Sequence, residues 1–460
     1  GVSIAGSGDL NGDGFADVII GSPDFNSDAD PAKEGRVFAY YGRNTWPQAS
    51  PNWTADTQQD GASFGGSVAF AGDVNGDGYS DVAIGIPDYE NGQTDEGRVL
   101  VYFGGTTGLG TTANWTMEIN QAGGSFGDAL AGADMNGDGY SDLIIGATNY
   151  TNGQQNEGSV FVYNGSATGL SLESNMTAES DQASAGFGYC VANGGDFNGD
   201  GRTDMFIGSP FYDNGQNDEG RVYVYNGRYS GLSASANWAS EGVQALAEHG
   251  YTVSAAGDVN GDGFADVLVS APYHDATFVD EGRVYLYLGS ANGLSTTPAS
   301  SLSPVAQANA LFGWSVAAAG DINGDGFSDI IIGDPYYDGN GGLILDQGRA
   351  YVYYGSQVGL NATPLIIESD QAGAMMGYSV AGVGDVNNDG FADIAIGAPS
   401  YDNAFTHEGR VVIYYGSANG VSFNNAWVND GGQAGANYGN SIAAAGDVNR
   451  DGISDVIIGA

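Results

Sequence analysis

The apolar and polar positions of this chain fall into a recurring series of short β-type segments. One segment alternates, as in Phe312-Gly-Trp-Ser-Val-Ala-Ala-Ala, with the period of a strand that has one face against a core. After a polar, glycine-rich stretch comes a short apolar run, Asp329-Ile-Ile-Ile-Gly, and turns such as Gly397-Ala-Pro or Gly208-Ser-Pro close runs of this kind. A polar loop (Tyr212-Asp-Asn-Gly-Gln-Asn-Asp-Glu-Gly) then leads to a third strand, Arg221-Val-Tyr-Val-Tyr. A Gly-Leu turn precedes a weaker fourth strand, often marked Asn-Trp (Asn52-Trp53, Asn114-Trp115, Asn237-Trp238). A Gln-Ala step (Gln182-Ala183, Gln371-Ala372) returns the chain to the next unit. No segment of helix length has helical periodicity, so the pattern predicts an all-β chain.

The stretch between the first two strands is Asp258-Val-Asn-Gly-Asp-Gly-Phe-Ala-Asp266 in one unit, and its pattern D-x-N-x-D-G-x-x-D occurs eight times. The copies begin at 9, 73, 134, 196, 258, 321, 385 and 447, at intervals of 61 to 64 residues. A tandem array of four-stranded antiparallel units is the arithmetic of a β-propeller, whose ring leaves only short outer edges. The first-strand, loop and second-strand set occurs eight times. The third strand occurs seven times, beginning near Gly35, Gly97, Gly158, Gly220, Gly282, Gly348 and Gly409. The favoured expectation is one propeller of seven blades over residues 1–436, with 437–460 as half of a further repeat that closes or extends the ring. The alternative is an eight-bladed ring with an incomplete last blade. A half-blade exposes a strand edge through which the protein could self-assemble.

Each nine-residue loop reads as a Ca²⁺ site, because calcium takes six to eight hard oxygen ligands and alternate residues of a tight loop can supply them. The expected side-chain ligands are Asp9, Asn11, Asp13 and Asp17 in the first copy, then Asp73, Asn75, Asp77 and Asp81. They continue as Asp134, Asn136, Asp138 and Asp142, then Asp196, Asn198, Asp200 and Asp204. The fifth and sixth copies supply Asp258, Asn260, Asp262 and Asp266, and Asp321, Asn323, Asp325 and Asp329. The last two supply Asp385, Asn387, Asp389 and Asp393, and Asp447, Asn449, Asp451 and Asp455. The seventh residue of each loop adds a backbone carbonyl: Phe15, Tyr79, Tyr140, Arg202, Phe264, Phe327, Phe391 and Ile453. Asp, Asn and Gly also make ordinary turns, but eight triplets of uncompensated Asp would repel one another. An EF-hand is excluded, since position twelve is apolar (Val269, Ile332, Ile396) where that motif needs Glu and a helix.

Charge adds to this picture. The 460 residues include 56 acidic and 11 basic ones, a formal −45, and 24 of the acids sit in the eight loops. Eight Ca²⁺ would leave about −29, which excludes nucleic acid and anionic membrane surfaces as favoured partners. Direct membrane insertion is not expected, as no run of 18 apolar residues exists. Cys190 is the single cysteine and reads as a small buried strand residue. The chain opens and stops mid-pattern, like a piece of something longer. Weak modular calcium sites suit millimolar calcium, so an extracellular or cell-surface location is expected.

Phe-Gly opening the first strand (Phe64-Gly65, Phe126-Gly127, Phe187-Gly188, Phe312-Gly313) and Gly-Ala-Pro closing the second (Gly397-Ala398-Pro399) resemble FG-GAP repeats. That family forms the propeller at the head of integrin α subunits, with calcium loops between the first two strands. The resemblance covers the whole chain and implies a seven-bladed ring with calcium ligands at the eight loops. It departs at Met376-Gly377, Tyr438-Gly439 and His249, and in having the loop in every unit, as a microbial relative would. It also implies that the loops between second and third strands, rich in Tyr, Asn, Asp and Gly, lie on the ligand-contacting face.

No catalytic constellation appears: no G-x-S-x-G, Walker loop or Rossmann fingerprint, and no zinc spacing among His249, His274 and His407. Six arginines recur at one repeat position (Arg36, Arg98, Arg221, Arg283, Arg349, Arg410), five of them two residues after Glu, and the third unit has Ser159 there. They read as inter-blade ion pairs or hydrogen-bond forks at the start of the third strand. The expected function is a non-catalytic extracellular calcium-binding propeller that mediates adhesion or protein assembly through an extracellular protein partner. The alternative is a calcium-stabilised lectin that binds glycan by repeated Trp and Tyr. A polysaccharide- or lipid-cleaving enzyme ranks last.

Overall fold

A computed structural model describes residues 1–26, 34–44, 50–57, 59–304 and 307–460. Among these residues there are only strands and turns, and no helix is long and apolar enough to cross a membrane. Seven antiparallel sheets have four principal strands each, in chain order from the axis outward. Blade one consists of Ser3–Gly8, Asp17–Ser22, Arg36–Tyr40 and Trp53–Asp56. The first strands of blades two to seven are Ser67–Gly72, Phe126–Ala133, Cys190–Gly195, Val253–Gly257, Ser315–Gly320 and Ser379–Gly384. Each first strand packs against the first strands of both neighbours, so these five- to eight-residue segments line the axis of a ring. This is the expected β-propeller of four-stranded blades, seven of them complete.

The half-repeat stands inside that ring. Its two strands, Ile442–Gly446 and Asp455–Ile458, pair antiparallel, and the first of them packs on blade seven and on blade one. The seam to blade one carries backbone bonds from Ala16 N to Asp447 O (3.0 Å) and from Arg43 N to Val448 O (2.8 Å). Seven complete blades and an eighth place filled by a two-stranded sheet are therefore found together.

The second strands explain the core. Residues of the second strands in blades two to seven are buried throughout, as continuous apolar runs require when both sheet faces are covered. The apolar side chains of neighbouring blades interleave in clusters that span two blades each. The two named glycine motifs meet between blades. A Cβ on Gly397 would collide with the carbonyl oxygen of Gly439 in the next unit, and Gly439 itself has φ +90°. The residue before that glycine forms a bridge with the glycine preceding the third strand, as in Gly409 with Tyr438 and Gly97 with Phe126. The tryptophans marked by Asn-Trp are structural. Trp53, Trp115 and Trp238 are buried, donate Nε1–H to Gly110, Ser171 and Ser295 carbonyls one blade on, and meet Tyr102, Tyr163 and Tyr287 edge to face at 4.8–5.0 Å.

Candidate metal-binding loops and the opposite face

All eight loops adopt one conformation. The first Asp accepts N–H groups of its own loop on both carboxylate oxygens, as when Gly261 N (2.6 Å) and Gly263 N (2.7 Å) donate to Asp258. Asn260 Oδ1 accepts Asp262 N–H (3.0 Å), and Asp262 Oδ1 accepts Phe264 N–H (3.1 Å). The same bonds at positions three and five recur in the other seven copies, from Asn11 and Asp13 to Asn449 and Asp451. These donors organise the loop backbone so that oxygens on alternate residues share one short turn.

The ninth residue is set apart. Asp17, Asp81, Asp142, Asp204, Asp266, Asp329 and Asp393 are wholly buried. In each, one oxygen accepts the N–H of loop position two and the other that of a glycine just past the third strand. For Asp266 the donors are Val259 N (2.9 Å) and Gly289 N (2.8 Å). Asp455, in the half-repeat, has only the first of these bonds, from Val448 N (2.9 Å). Burial pushes these carboxyls up, to about 7 at Asp17, Asp81, Asp142 and Asp329 and to about 6 at Asp204, Asp266 and Asp393, and the other two Asp of each loop push the same way. The backbone bonds oppose the shift but do not cancel it. Asp455 moves in the same direction.

The donor set fits a hard cation: three carboxylates, an amide oxygen and a backbone carbonyl within nine residues. The electrostatics fit as well, because a desolvated carboxylate beside two others gains most from a nearby positive charge. The carboxylates are spread around the loop's own amides and do not all converge. Among the described residues, one group of three acids brings its oxygens within 4.8 Å of one another, and it lies elsewhere, at Glu157, Glu179 and Asp181.

The loops also tie the ring together. Residue eight of one loop donates its N–H to the first Asp carbonyl of the preceding loop, as in Ser80 to Asp9 and Ser328 to Asp258 (both 2.9 Å). The seventh side chain packs on the preceding loop's glycine, Tyr79 on Gly12 and Phe391 on Gly324, which explains an aromatic there in most copies.

The repeated arginines make hydrogen-bond forks at the start of the third strand, as in Arg36, Arg98 and Arg410, but do not join neighbouring blades as expected of inter-blade pairs. They pair within a blade, across the third and fourth strands, with the acid directly opposite in register: Arg36 with Asp56 (2.5 Å), Arg98 with Glu118 (2.6 Å), Arg221 with Glu241 (3.1 Å), Arg349 with Glu368 (2.9 Å) and Arg410 with Asp430 (2.6 Å). Four also stack over the loop tyrosine, Arg98 on Tyr89 at 3.7 Å, Arg221 on Tyr212 at 5.1 Å, Arg349 on Tyr337 at 3.0 Å and Arg410 on Tyr401 at 3.8 Å. The Glu two residues earlier turns inward instead. Glu408 Oε1 accepts three loop N–H groups, from Asn403, Ala404 and Phe405 (2.6–3.2 Å). Cys190 is half-buried at the start of its strand.

Antiparallel pairing puts the Phe-Gly steps and the second-to-third-strand loops at the end of the ring opposite the nine-residue loops. On that face an arc of rings runs across four blades. Tyr189, Tyr251, Trp314 and Tyr378 follow the Phe-Gly position in successive units, with centroids 5.7, 5.4 and 5.7 Å apart. Phe211, Tyr273 and Tyr336 meet the first three edge to face. At the equivalent positions the other units have Val2, Gly66, Asp128 and Asn440. The arc was not foreseen from sequence, although breaking of the repeat pattern at one position was its available signal.

The FG-GAP repeat family matches residues 1–40, 64–102, 126–163, 187–225, 249–287, 312–353 and 376–414. The chain is 32% identical over 248 residues to integrin alpha-5 of Xenopus laevis and 35% identical over 246 residues to integrin alpha-V of Gallus gallus, which covers 52% and 50% of this chain and 22% of each relative. It is 30% identical over 390 residues to the phosphatidylinositol-glycan-specific phospholipase D of Homo sapiens, covering 75% of this chain and 45% of that protein. The chain thus spans less than half the length of these relatives. Among solved structures, an exotype rhamnogalacturonan lyase, YesX, aligns over 90% of this chain and 72% of its own at 16% identity, with a TM-score of 0.42, too loose to bear on function. Seven matched repeats, laid out as seven four-stranded blades, make this chain a member of the FG-GAP repeat family with an integrin-α-like propeller.

Proposed function

We propose that this is a non-catalytic, calcium-loaded propeller of the extracellular space or cell surface that mediates adhesion or assembly by binding a protein partner. In this reading the chain forms one propeller, with residues 1–436 as its blades and 437–460 closing the ring. Calcium would be held by the nine-residue loops, where it supplies the positive charge that the buried ninth carboxylates lack. The loops themselves position the oxygens and link each blade to the next.

The observation that carries partner binding is the aromatic arc. It breaks the repeat, as a ligand surface does and a structural contact need not, and Tyr189 is 38% exposed. Aromatic side chains supply large contact area at little entropic cost. The same arc favours the lectin reading as second, because sugars also stack on such rings. The repeated tryptophans no longer support it, since they are buried between blades. Cleavage of a glycolipid or polysaccharide is the third reading, and the 45% of the phospholipase D that this chain covers does not assign that protein's activity to it.

The test is binding of the calcium-loaded protein to a panel of matrix and cell-surface proteins and to a glycan array, with Trp314→Ala and Tyr251→Ala compared at unchanged melting temperature. Protein binding lost in both variants supports the proposal. Glycan binding competed by free sugar supports the lectin, and turnover of phosphatidylinositol glycan overturns the non-catalytic reading. Self-association is a separate proposal for the free edge at Asp455–Ile458, beside an apolar groove lined by Val18, Ile20 and Ile458. A single monomer mass in light scattering, with and without calcium, would overturn it.

A further inference from the structure

Blade three departs from the others where its third strand begins. Ser159 stands there, and all six other complete blades have arginine. In five of those six the guanidinium grips the acid opposite it on the fourth strand. Blade three retains the acid, Glu179, in register with Ser159, and among the described residues no cationic side chain pairs with it. It retains the inward Glu157 as well, fully buried. One oxygen of Glu157 accepts Asn152 N–H (2.6 Å) and Gln154 N–H (3.4 Å), while Oε2 has no hydrogen-bond partner. Asp181 is a third acid, exposed at the rim, and the three residues bring carboxylate oxygens within 4.8 Å of one another. The amide of Asn152 donates to both oxygens of Glu179 (3.0 and 2.8 Å), which leaves the charge of the group uncompensated.

We propose that Glu157, Glu179 and Asp181 bind a hard divalent cation, calcium by their all-oxygen chemistry, in the place that the arginine side chain fills in the other blades. The site is at the opposite end of the blade from the nine-residue loop and owes nothing to that motif. Glu157 is held by the loop backbone before any ion arrives, so one ligand is preorganised. The exposure of Asp181 supplies an entry path and room for water in the remaining coordination positions, the open geometry that calcium accepts. In five of the other blades a tethered cation neutralises the acid on the fourth strand. Here a free one would join the second-to-third-strand loop, through Glu157, to the end of the fourth strand.

The experiment is anomalous diffraction from crystals of the full chain soaked in Mn²⁺, for wild type, Ser159→Arg and Glu179→Gln. The expected result is an anomalous peak bounded by the three carboxylates in wild type and none at that place in either variant. Ser159→Arg restores the residue of the other repeats and is expected to fold, which its melt would check, and Glu179→Gln changes no shape. A wild-type crystal with no peak there overturns the proposal whatever the nine-residue loops show, as does a peak of unchanged height in both variants. Peaks at the nine-residue loops report separately on the calcium reading of those loops, so the two fail independently.

Discussion

His249 occupies the position held by Phe64, Phe126, Phe187 and Phe312 in other units and shows what one side chain does inside this repeat. It is buried, edge to face with Tyr285 at 5.0 Å, with Nε2 on the Ser240 hydroxyl (3.0 Å) and no partner at Nδ1. Burial, with His274 a smaller cause, lowers its pKa to about 3. A ring kept neutral in the fold but protonated near 6.5 in the unfolded chain contributes stability that is whole above that pH and is lost as the pH falls toward 3. The slope is up to about 1.4 kcal/mol per pH unit. His249→Phe should therefore melt progressively higher than wild type as the pH is lowered from 7 to 4. A difference that stays constant over that range would contradict the account. The eight loops were legible as tight turns at this scale, because Asp, Asn and Gly recur at fixed offsets in every copy. The burial of the ninth Asp was not, since its second hydrogen bond comes from a glycine 23 residues on, as in Asp266 with Gly289.

Within a blade, period-two alternation made the strands readable, and the first, second and third strands lie where the pattern put them. Cross-strand partners were not readable. The opposite number of Arg98 is Glu118, fixed only once the turn between third and fourth strands sets the register. Repetition does not make these pairs strong. The Arg98–Glu118 pair is part-buried, with both side chains 23% exposed, and pairs that solvent still reaches contribute about 0–1 kcal/mol. Arg98→Met should thus lower stability by less than about 1 kcal/mol in denaturant unfolding. Trp115→Ala should cost about 3–5 kcal/mol, because it empties a buried inter-blade site and removes the bond to the Ser171 carbonyl. The reverse order would place blade stability in the ion pairs. The three-carboxylate group of blade three belongs to this scale too: Ser159 was visible as an exception, but only the fold brings Asp181 beside Glu157.

For the whole molecule, the repeat count correctly predicted a β-propeller of four-stranded blades. Sequence could not decide how the half-unit is seated, since both arrangements use the same strands and differ only in what Ile442–Gly446 packs against. The electrostatics of the ring are collective. Seven ninth-position carboxyls lie near 6 to 7, well above the ordinary range near 4. A carboxyl whose pKa is raised in the fold binds its proton more tightly there than in the unfolded chain. Metal-free protein should then lose stability as the pH rises from about 4 through 7, and its melting temperature should fall over that window. Calcium bound at the loops would stabilise the ionised form, so saturating calcium should flatten or reverse the fall. Parallel curves with and without calcium would separate the buried carboxylates from any metal.

The most direct test of the central claim, that the nine-residue loops hold calcium and the ring depends on it, is a count of bound metal together with a thermal melt before and after chelation. A single site at one hundred times its Kd contributes about 2.7 kcal/mol by mass action. The account predicts one calcium per loop, with one more if blade three holds its own, and a large drop in melting temperature when the metal is removed. Protein that carries no calcium at saturation and melts at the same temperature in chelator would contradict it, and the eight loops would then be turns closed by their own hydrogen bonds.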